Sequence, residues 1–298
     1  QTLEAYKTPD GMYGLPRDFQ TIVLFYNKDM FDAAGVKYPT ADWTYDDLRT
    51  AAKQLTKVGA DGKVTQFGYS LDTWDFEPGL SEIIWAYGGD LINADHTKTL
   101  VGDPKARQAY QILHDMMFVD KSIPDSNTSD QYGNDTFAAG VSAMTAIGHW
   151  AVPGYAEAKF KWDVAPMPKG PAGQATSVNS AGFVVGKASK NPDAAFEFLK
   201  YVLSEPAQKK LAELGFACPV LKSVAESDSF LKQKTPINQK VFLDSLAFAH
   251  MKPVFKGYDE WSSALGDGMA PVWTGEAELD PTLDASVKAA DEVLANNQ

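Results

Sequence analysis

Apolar residues recur with helical spacing in several segments, each preceded by a helix-capping residue. Thr44 and Asp47 form a Thr-x-x-Asp capping box ahead of an apolar stripe that runs to Leu55. A shorter helix is predicted from Ser204 to just before Gly215. Three further helices are predicted where a cap residue precedes a proline, at Asp103-Pro104, Asn191-Pro192 and Asp280-Pro281.

Short runs of β-branched and aromatic residues lie between these predicted helices. The runs are residues 21–26, 67–71, 143–147, 162–165 and 182–185. Strands that are spaced out among helices are typical of an α/β protein with buried, mostly parallel sheets. Residues 166–173 are rich in proline and glycine and are predicted to form an exposed loop.

Composition favours a globular protein with two lobes. The chain has 298 residues, of which 44% are hydrophobic, and this length exceeds what one simple core usually accommodates. Its net charge of -12 would repel nucleic acid and anionic membranes, so neither is an expected partner. Cys218 is the single cysteine, which excludes an intrachain disulfide; we predict a buried, small apolar side chain.

The sequence lacks the motifs of common enzyme classes. It contains no Gly-x-Ser-x-Gly elbow, no clustered histidines and no glycine-rich phosphate loop. We therefore predict no catalytic residue, no metal site and no cofactor. The carboxylates around Trp74, namely Asp72, Asp75 and Glu77, leave three interpretations open. They could form the acid and nucleophile of a glycosidase, accept hydrogen bonds from sugar hydroxyls, or belong to a solvated turn.

Short motifs occur in a defined order over nearly the whole chain. They are GLPRD at 14–18, LFYNKDMF at 24–31, AGVKYP at 34–39, WTYDDL at 43–48, FAAGVSAM at 137–144, GHW at 148–150, WDVAPMP at 162–168, SKNP at 189–192 and AFEF at 195–198. This order resembles that of family 1 extracellular solute-binding proteins, the maltose-binding-protein-like sugar receptors of ABC importers.

The resemblance implies an α/β, two-lobe periplasmic-binding-protein (Venus flytrap) fold with discontinuous lobes. Lobe I would comprise residues 1–19 and 183–252, and lobe II residues 20–182 and 253–298. In the family, the GLPRD-type motif follows a first quarter that this sequence does not contain. Lobe I is therefore expected to be incomplete, with exposed strand edges and core side chains. The missing segment is either supplied by a separate chain or lost, and the 298 residues alone are expected to bind sugar poorly.

The resemblance also implies a function. The protein would capture a mono- or oligosaccharide by hinge closure and deliver it to ABC permease subunits, without catalysis. Its expected location is extracytoplasmic, either periplasmic or as a cell-surface lipoprotein. Two alternatives remain open: a carbohydrate-active enzyme with paired carboxylates, and a binding protein for a non-sugar solute such as a peptide or polyol.

Candidate ligand contacts follow from the family's hinge crossings and aromatic positions. Trp150, Trp74 and Trp261 are expected to stack on a sugar ring, although tryptophans are also frequent in protein cores. We predict that Trp74 and Trp150 face a common cleft. The remaining candidates offer polar groups to hydroxyls or, for the glycine, allow close backbone approach: Asp18, Gln20, Asn179, Gly182, Asp75 and Glu77.

Overall fold

The computed structural model describes residues 2–8, 10–71, 76 and 78–297 as a mixture of helices and strands. The strands are β1 (Lys7–Thr8), β2 (Gly11–Met12), β3 (Leu15–Pro16), β4 (Asp18–Thr21), β5 (Val23–Asn27), β6 (Lys57–Val58), β7 (Val64–Gln66), β8 (Met144–Ile147), β9 (Trp162–Ala165), β10 (Lys169–Gly170), β11 (Gly173–Gln174), β12 (Thr176–Asn179), β13 (Gly182–Phe183), β14 (Cys218–Pro219) and β15 (Ala249–Met251). The helices are α1 (Lys28–Ala34), α2 (Tyr45–Leu55), α3 (Leu80–Ala86), α4 (Pro104–His114), α5 (Ser126–Asp130), α6 (Val152–Tyr155), α7 (Pro192–Val202), α8 (Glu205–Glu213), α9 (Lys222–Ala225), α10 (Asp228–Leu231), α11 (Lys240–Asp244), α12 (Tyr258–Trp273) and α13 (Leu279–Asn296). Within this described part of the chain, no helix has the length and apolar character needed to cross a membrane.

The predicted helix starts are confirmed, with one exception. The Oγ1 of Thr44 accepts a hydrogen bond from the Asp47 N–H at 3.2 Å, and the Asp47 carboxylate accepts one from the Thr44 N–H at 2.8 Å. Helices α4, α7 and α8 begin at the predicted positions. Helix α13 instead begins at Leu279, before the predicted start at Pro281. Pro281 is tolerated there because N–H groups in the first helical turn have no intrahelical partner.

The strands form two principal sheets that meet at Ile22. The four-stranded sheet has the order β14-β4-β12-β15, and the three-stranded sheet has the order β8-β5-β9. Strand β5 is antiparallel to both of its neighbours, and β12 pairs with β15 in parallel. The expectation of mostly parallel sheets is therefore wrong for the described strands, because β8 and β9 each run in the direction opposite to β5.

Two other segments differ from the sequence prediction. Residues 67–71 form no strand, and Phe67 and Ser70 make only isolated bridges to Ser142 and Thr145. Residues 166–173 are not simply an exposed loop, since β10 and β11 form a hairpin there. The N–H of Ala172 in its turn donates to the Ala86 carbonyl at 2.8 Å, which fixes the hairpin against α3.

Hydrophobic cores lie on both faces of β5, because successive side chains of a strand point to opposite sides. Leu24 and Tyr26 enter a first core with α2, α3, α4, α12 and α13. Val23 and Phe25 enter a second core, in which the Phe25 and Phe242 ring centroids lie 6.2 Å apart. Phe25 belongs to the predicted lobe II and Phe242 to the predicted lobe I. The second core therefore joins the two predicted lobes by hydrophobic contact.

The second core also contains Cys218, which is fully buried, as predicted. Burial raises the pKa of its thiol well above the ordinary value, because the thiolate would lose its solvation. The thiol is therefore neutral at physiological pH and packs as a small apolar group.

Helix α7 presents a large apolar surface to solvent. Leu199 is buried in this helix, whereas Phe196, Phe198 and Tyr201 are 51%, 60% and 66% exposed. Val184, just before this helix, is also 66% exposed. These residues belong to the predicted lobe I, for which the sequence predicted exposed core side chains.

Candidate functional site

A cavity of about 420 Å³ lies at one end of the four-stranded sheet. We call it the cleft, and its lining residues are Arg17, Asp18, Gln20, Trp150, Asn179, Ser180, Ala181, Phe216 and Lys252. Four predicted contacts, Asp18, Gln20, Trp150 and Asn179, are thereby brought together. With the predicted lobe boundaries, both lobes contribute to the lining, so the cleft lies at their junction.

Gln20 and Asn179 place two amide side chains side by side. They are partners in the antiparallel pairing of β4 with β12, and cross-strand partners share a face of the sheet. Gln20 is 7% exposed, and its Oε1 has no hydrogen-bond partner among the described residues. An unpaired buried acceptor costs about 1–3 kcal/mol, and this cost is borne directly beside the cleft.

Asp18 lines the cleft but is held by protein groups. Its side chain is 1% exposed, and its Oδ2 accepts a hydrogen bond from the Arg17 Nε at 2.6 Å. Its Oδ1 accepts a longer bond, 3.3 Å, from the N–H of Ala181. A ligand would therefore meet an Arg17–Asp18 ion pair, which offers both donors and acceptors.

Trp150 is presented to the cleft by a short 3-10 turn, residues His149–Ala151, and is 39% exposed. Its indole lies directly against the backbone of Gly148. A Cβ atom on Gly148 would stand 2.0 Å from Cζ3 and 2.3 Å from Cε3 of the Trp150 ring. The motif Gly-His-Trp therefore has a steric reason for its first residue: only glycine leaves room for this ring position.

We expect Gly148→Ala to displace the Trp150 ring, because contacts near 2 Å cannot persist. Indole fluorescence should shift, and ligand affinity should fall about as far as it does when the Trp150 ring is removed. Gly154→Ala is the matched control, since a Cβ there meets nothing within 4 Å. Equal fluorescence and affinity in the two variants would contradict this account of the ring position.

His149 anchors the turn that carries Trp150. It is fully buried, and its Nε2 lies 2.9 Å from the Oε1 of Gln239. Its ring also contacts Phe230 and Phe242, with centroids 5.3 Å and 4.7 Å away. Burial lowers the pKa of His149 from 6.5 to about 4, because the imidazolium would lose its solvation.

This pKa predicts a pH dependence of stability. Between pH 6.5 and about 4 the unfolded chain protonates His149 while the folded chain keeps it neutral, so the free energy of unfolding should fall as pH falls. The loss should reach at most about 3 kcal/mol. Chemical denaturation at pH 7 and pH 5 should show a smaller difference for His149→Gln than for the wild type. Identical differences would contradict the prediction.

Trp261 and Gly182 do not line the cleft. Trp261 is 0% exposed, its ring stacks on Phe76 at 5.3 Å, and its Nε1 donates to the Thr99 Oγ1 at 2.9 Å. In this structure both the ring and its polar atom are engaged by protein groups, and ligand contact by Trp261 stays a prediction. Gly182 does permit a close approach, but by the ring of Tyr6, whose Cε1 would lie 2.3 Å from an added Cβ. Trp74, Asp75 and Glu77 lie outside the described residues.

Several cleft residues were not predicted as contacts. They are Arg17, Ser180, Ala181, Phe216 and Lys252. Arg17 stands inside the GLPRD motif, and Ser180 and Ala181 follow Asn179, so proximity to predicted contacts was an available signal. Phe216 carried no such signal. It reaches the cleft because β14 pairs with β4, joining Pro219 to Asp18 across about 200 residues of sequence.

A buried carboxyl group supports the strand that carries Asn179. Glu82 of α3 is 0% exposed and accepts hydrogen bonds from the Gly79 N–H at 2.6 Å and the Ser177 N–H at 3.2 Å. The hydroxyl of Ser177 donates to the same carboxyl group. Burial raises the pKa of Glu82, opposed by these hydrogen bonds. These hydrogen bonds fix β12 to α3 at Ser177, which lies close to Asn179 in the same strand.

In the part of the chain that the structure describes, no group of three or more His, Cys, Asp or Glu residues could hold a metal ion. The lining of the cleft offers hydrogen-bonding groups and aromatic surface. This combination suits a polyhydroxylated ligand, since hydroxyls both donate and accept hydrogen bonds and the ring carbons of a sugar are apolar.

Comparison with known proteins identifies a family. The model of the family described as bacterial extracellular solute-binding protein matches residues 1–238. The maltodextrin-binding protein MdxE of Bacillus subtilis is 26% identical over 206 residues, which is 66% of this chain and 48% of that protein.

Two solved structures are similar over almost the whole chain. An ABC substrate-binding protein of Listeria monocytogenes, in complex with cycloalternan, has a TM-score of 0.89 at 28% identity and covers 98% of this chain and 74% of its own. The cyclic α-maltosyl-1,6-maltose binding protein of Arthrobacter globiformis has a TM-score of 0.79 at 25% identity, with 99% and 76% covered. The predicted α/β, two-lobe binding-protein fold is confirmed by these similarities.

Proposed function

This chain belongs to the bacterial extracellular solute-binding protein family, and from that membership we propose that it captures a carbohydrate in the cleft and delivers it to an ABC importer. The observation that carries the proposal is the convergence of Trp150, Asp18, Gln20 and Asn179 on one cavity at the junction of the predicted lobes. The sugar ligands named for the two solved relatives support a glucose-containing oligosaccharide as the first candidate.

The mechanism would use complementary surfaces. The indole of Trp150 covers the apolar face of a pyranose ring, while Gln20 and Asn179 bind its edge hydroxyls. Closure of the predicted lobes about the crossings near β4, β12 and β15 then excludes water and strengthens these hydrogen bonds.

The family and the similar structures are of binding proteins. We infer that this chain likewise makes and breaks no bond in its ligand. The predicted location outside the cytoplasm accords with a family of extracellular proteins. As partners we propose permease subunits that recognise the closed form and, for the exposed surface of α7, a polypeptide segment of the kind that the longer relatives carry.

Binding and turnover should be measured on the full-length protein. Calorimetry with maltose, maltotriose and a cyclic α-glucan, beside a peptide and a polyol, tests the solute class. We expect binding of at least one saccharide and of neither control solute. Chromatography of maltotriose after prolonged incubation tests for hydrolysis, and release of shorter sugars would contradict the binding function. Binding of the peptide or polyol alone would contradict the carbohydrate assignment.

A further inference from the structure

Phe216 is an exposed aromatic side chain at the start of a buried segment. It is 43% exposed, whereas Ala217 and Cys218, which follow it, are fully buried. The pairing of β14 with β4 joins Cys218 to Phe19 and so brings this segment beside Arg17. Phe216 lines the cleft as a result.

Arg17 holds the Phe216 ring in place. The central carbon of its guanidinium lies 5.2 Å from the Phe216 centroid and 6.0 Å from the Phe183 centroid. Its ion pair with Asp18 fixes the guanidinium itself. A positioned cation attracts the face of an aromatic ring, so Phe216 can keep a defined orientation without being buried.

Trp150 and Phe216 come from different predicted lobes and line the same cavity. A pyranose whose ring hydroxyls are equatorial has apolar C–H groups on both faces and can contact an aromatic ring on each side. An axial hydroxyl makes one face polar, and burying that hydroxyl against a ring leaves it without a hydrogen-bond partner. With a ring on each side, a sugar with an axial hydroxyl cannot turn its polar face away from an aromatic surface, whereas with a single ring it can.

We propose that Phe216 is the lobe I counterpart of Trp150 and that the pair selects glucose-type rings over galactose-type rings, which carry an axial hydroxyl at C4. This inference rests on the proposed carbohydrate function. It assigns stereochemical selectivity to a residue whose side chain is 43% exposed.

The test compares maltose with α-1,4-galactobiose, which differ in configuration at C4 of each ring: the C4 oxygen is equatorial in maltose and axial in galactobiose, as a hydroxyl on the non-reducing ring and as the linkage oxygen on the reducing ring. Calorimetry on the full-length protein should show that the wild type prefers maltose. Phe216→Ala should lower the affinity for maltose about threefold to tenfold and change the affinity for galactobiose less, which reduces the preference. Phe216→Leu keeps an apolar side chain without the ring and should give an intermediate preference.

Tyr132→Ala is the matched control, since this tyrosine is 42% exposed, lies outside α7 and does not line the cleft. It should leave both affinities unchanged. An unchanged preference in Phe216→Ala, with a saccharide-binding wild type, would overturn the role of Phe216 and leave the proposed function standing. A wild type that binds neither disaccharide would overturn the glucose-type selectivity, and one that binds none of the saccharides named above would overturn the proposed function too.

Discussion

Replacing Trp150 by alanine is expected to lower ligand affinity roughly tenfold or more while leaving the fold in place. Stacking on a ligand ring contributes about 0.5–1.5 kcal/mol beyond area burial, and the lost apolar contact adds to this. About 1.4 kcal/mol corresponds to a factor of ten in Kd. The side chain is 39% exposed and belongs to a short turn, so its removal opens no enclosed cavity in either core.

Calorimetry and thermal unfolding should be carried out on the same preparation of this variant. We expect the Kd for the best saccharide of the wild type to rise and the Tm to change little. Trp150→Phe retains a smaller aromatic face and should fall between the wild type and Trp150→Ala. A large decrease in Tm with an unchanged Kd would make Trp150 a packing residue and would remove the main support for the proposed cleft.

Replacing Trp261 by alanine is expected to have the opposite effect: the stability of the fold should fall while ligand affinity is retained. This indole is fully buried in the first core, where it stacks on Phe76 and donates to Thr99. Removing a buried aromatic side chain costs about 3–5 kcal/mol, and the Thr99 hydroxyl would also lose its donor. For a chain of this size the Tm should fall by on the order of 10 °C.

Urea unfolding monitored by circular dichroism gives the stability of Trp261→Ala, and calorimetry gives the affinity of the folded fraction. We expect a reduced free energy of unfolding and a Kd close to that of the wild type. Trp261→Phe should recover part of the stability because it refills most of the volume. Loss of affinity without loss of stability would instead place Trp261 in contact with the ligand, as its position in the sequence first predicted.

The two tryptophans show why the candidate site could be predicted only in part. The resemblance to the family placed both at positions where aromatic residues contact sugars. Whether an indole faces a cleft or a core depends on the neighbours that pack around it. Those neighbours are Gly148 for Trp150 and Phe76 with Thr99 for Trp261, and the second set lies more than a hundred residues away in sequence.

The features that depend on near neighbours could be predicted from the order of residues along the chain. The capping box of Thr44 and Asp47 satisfies the first N–H groups of α2 locally, so the helix start could be read directly. The segments of β8 and β9 were likewise evident from their β-branched and aromatic residues. Gly148 could be recognised as part of the Gly-His-Trp motif, although its steric role became clear only from the position of the Trp150 ring.

Which of these local elements meet could be known only from the three-dimensional fold. Strand direction depends on how the chain returns to a sheet, so the antiparallel pairing of β5 with β8 and β9 was not encoded in any single segment. The pairing of β14 with β4 likewise brought Phe216 and Arg17 together and added an aromatic wall that no motif indicated. Such contacts join residues that are distant in sequence, and they form because burial and hydrogen bonding are satisfied for the whole chain at once.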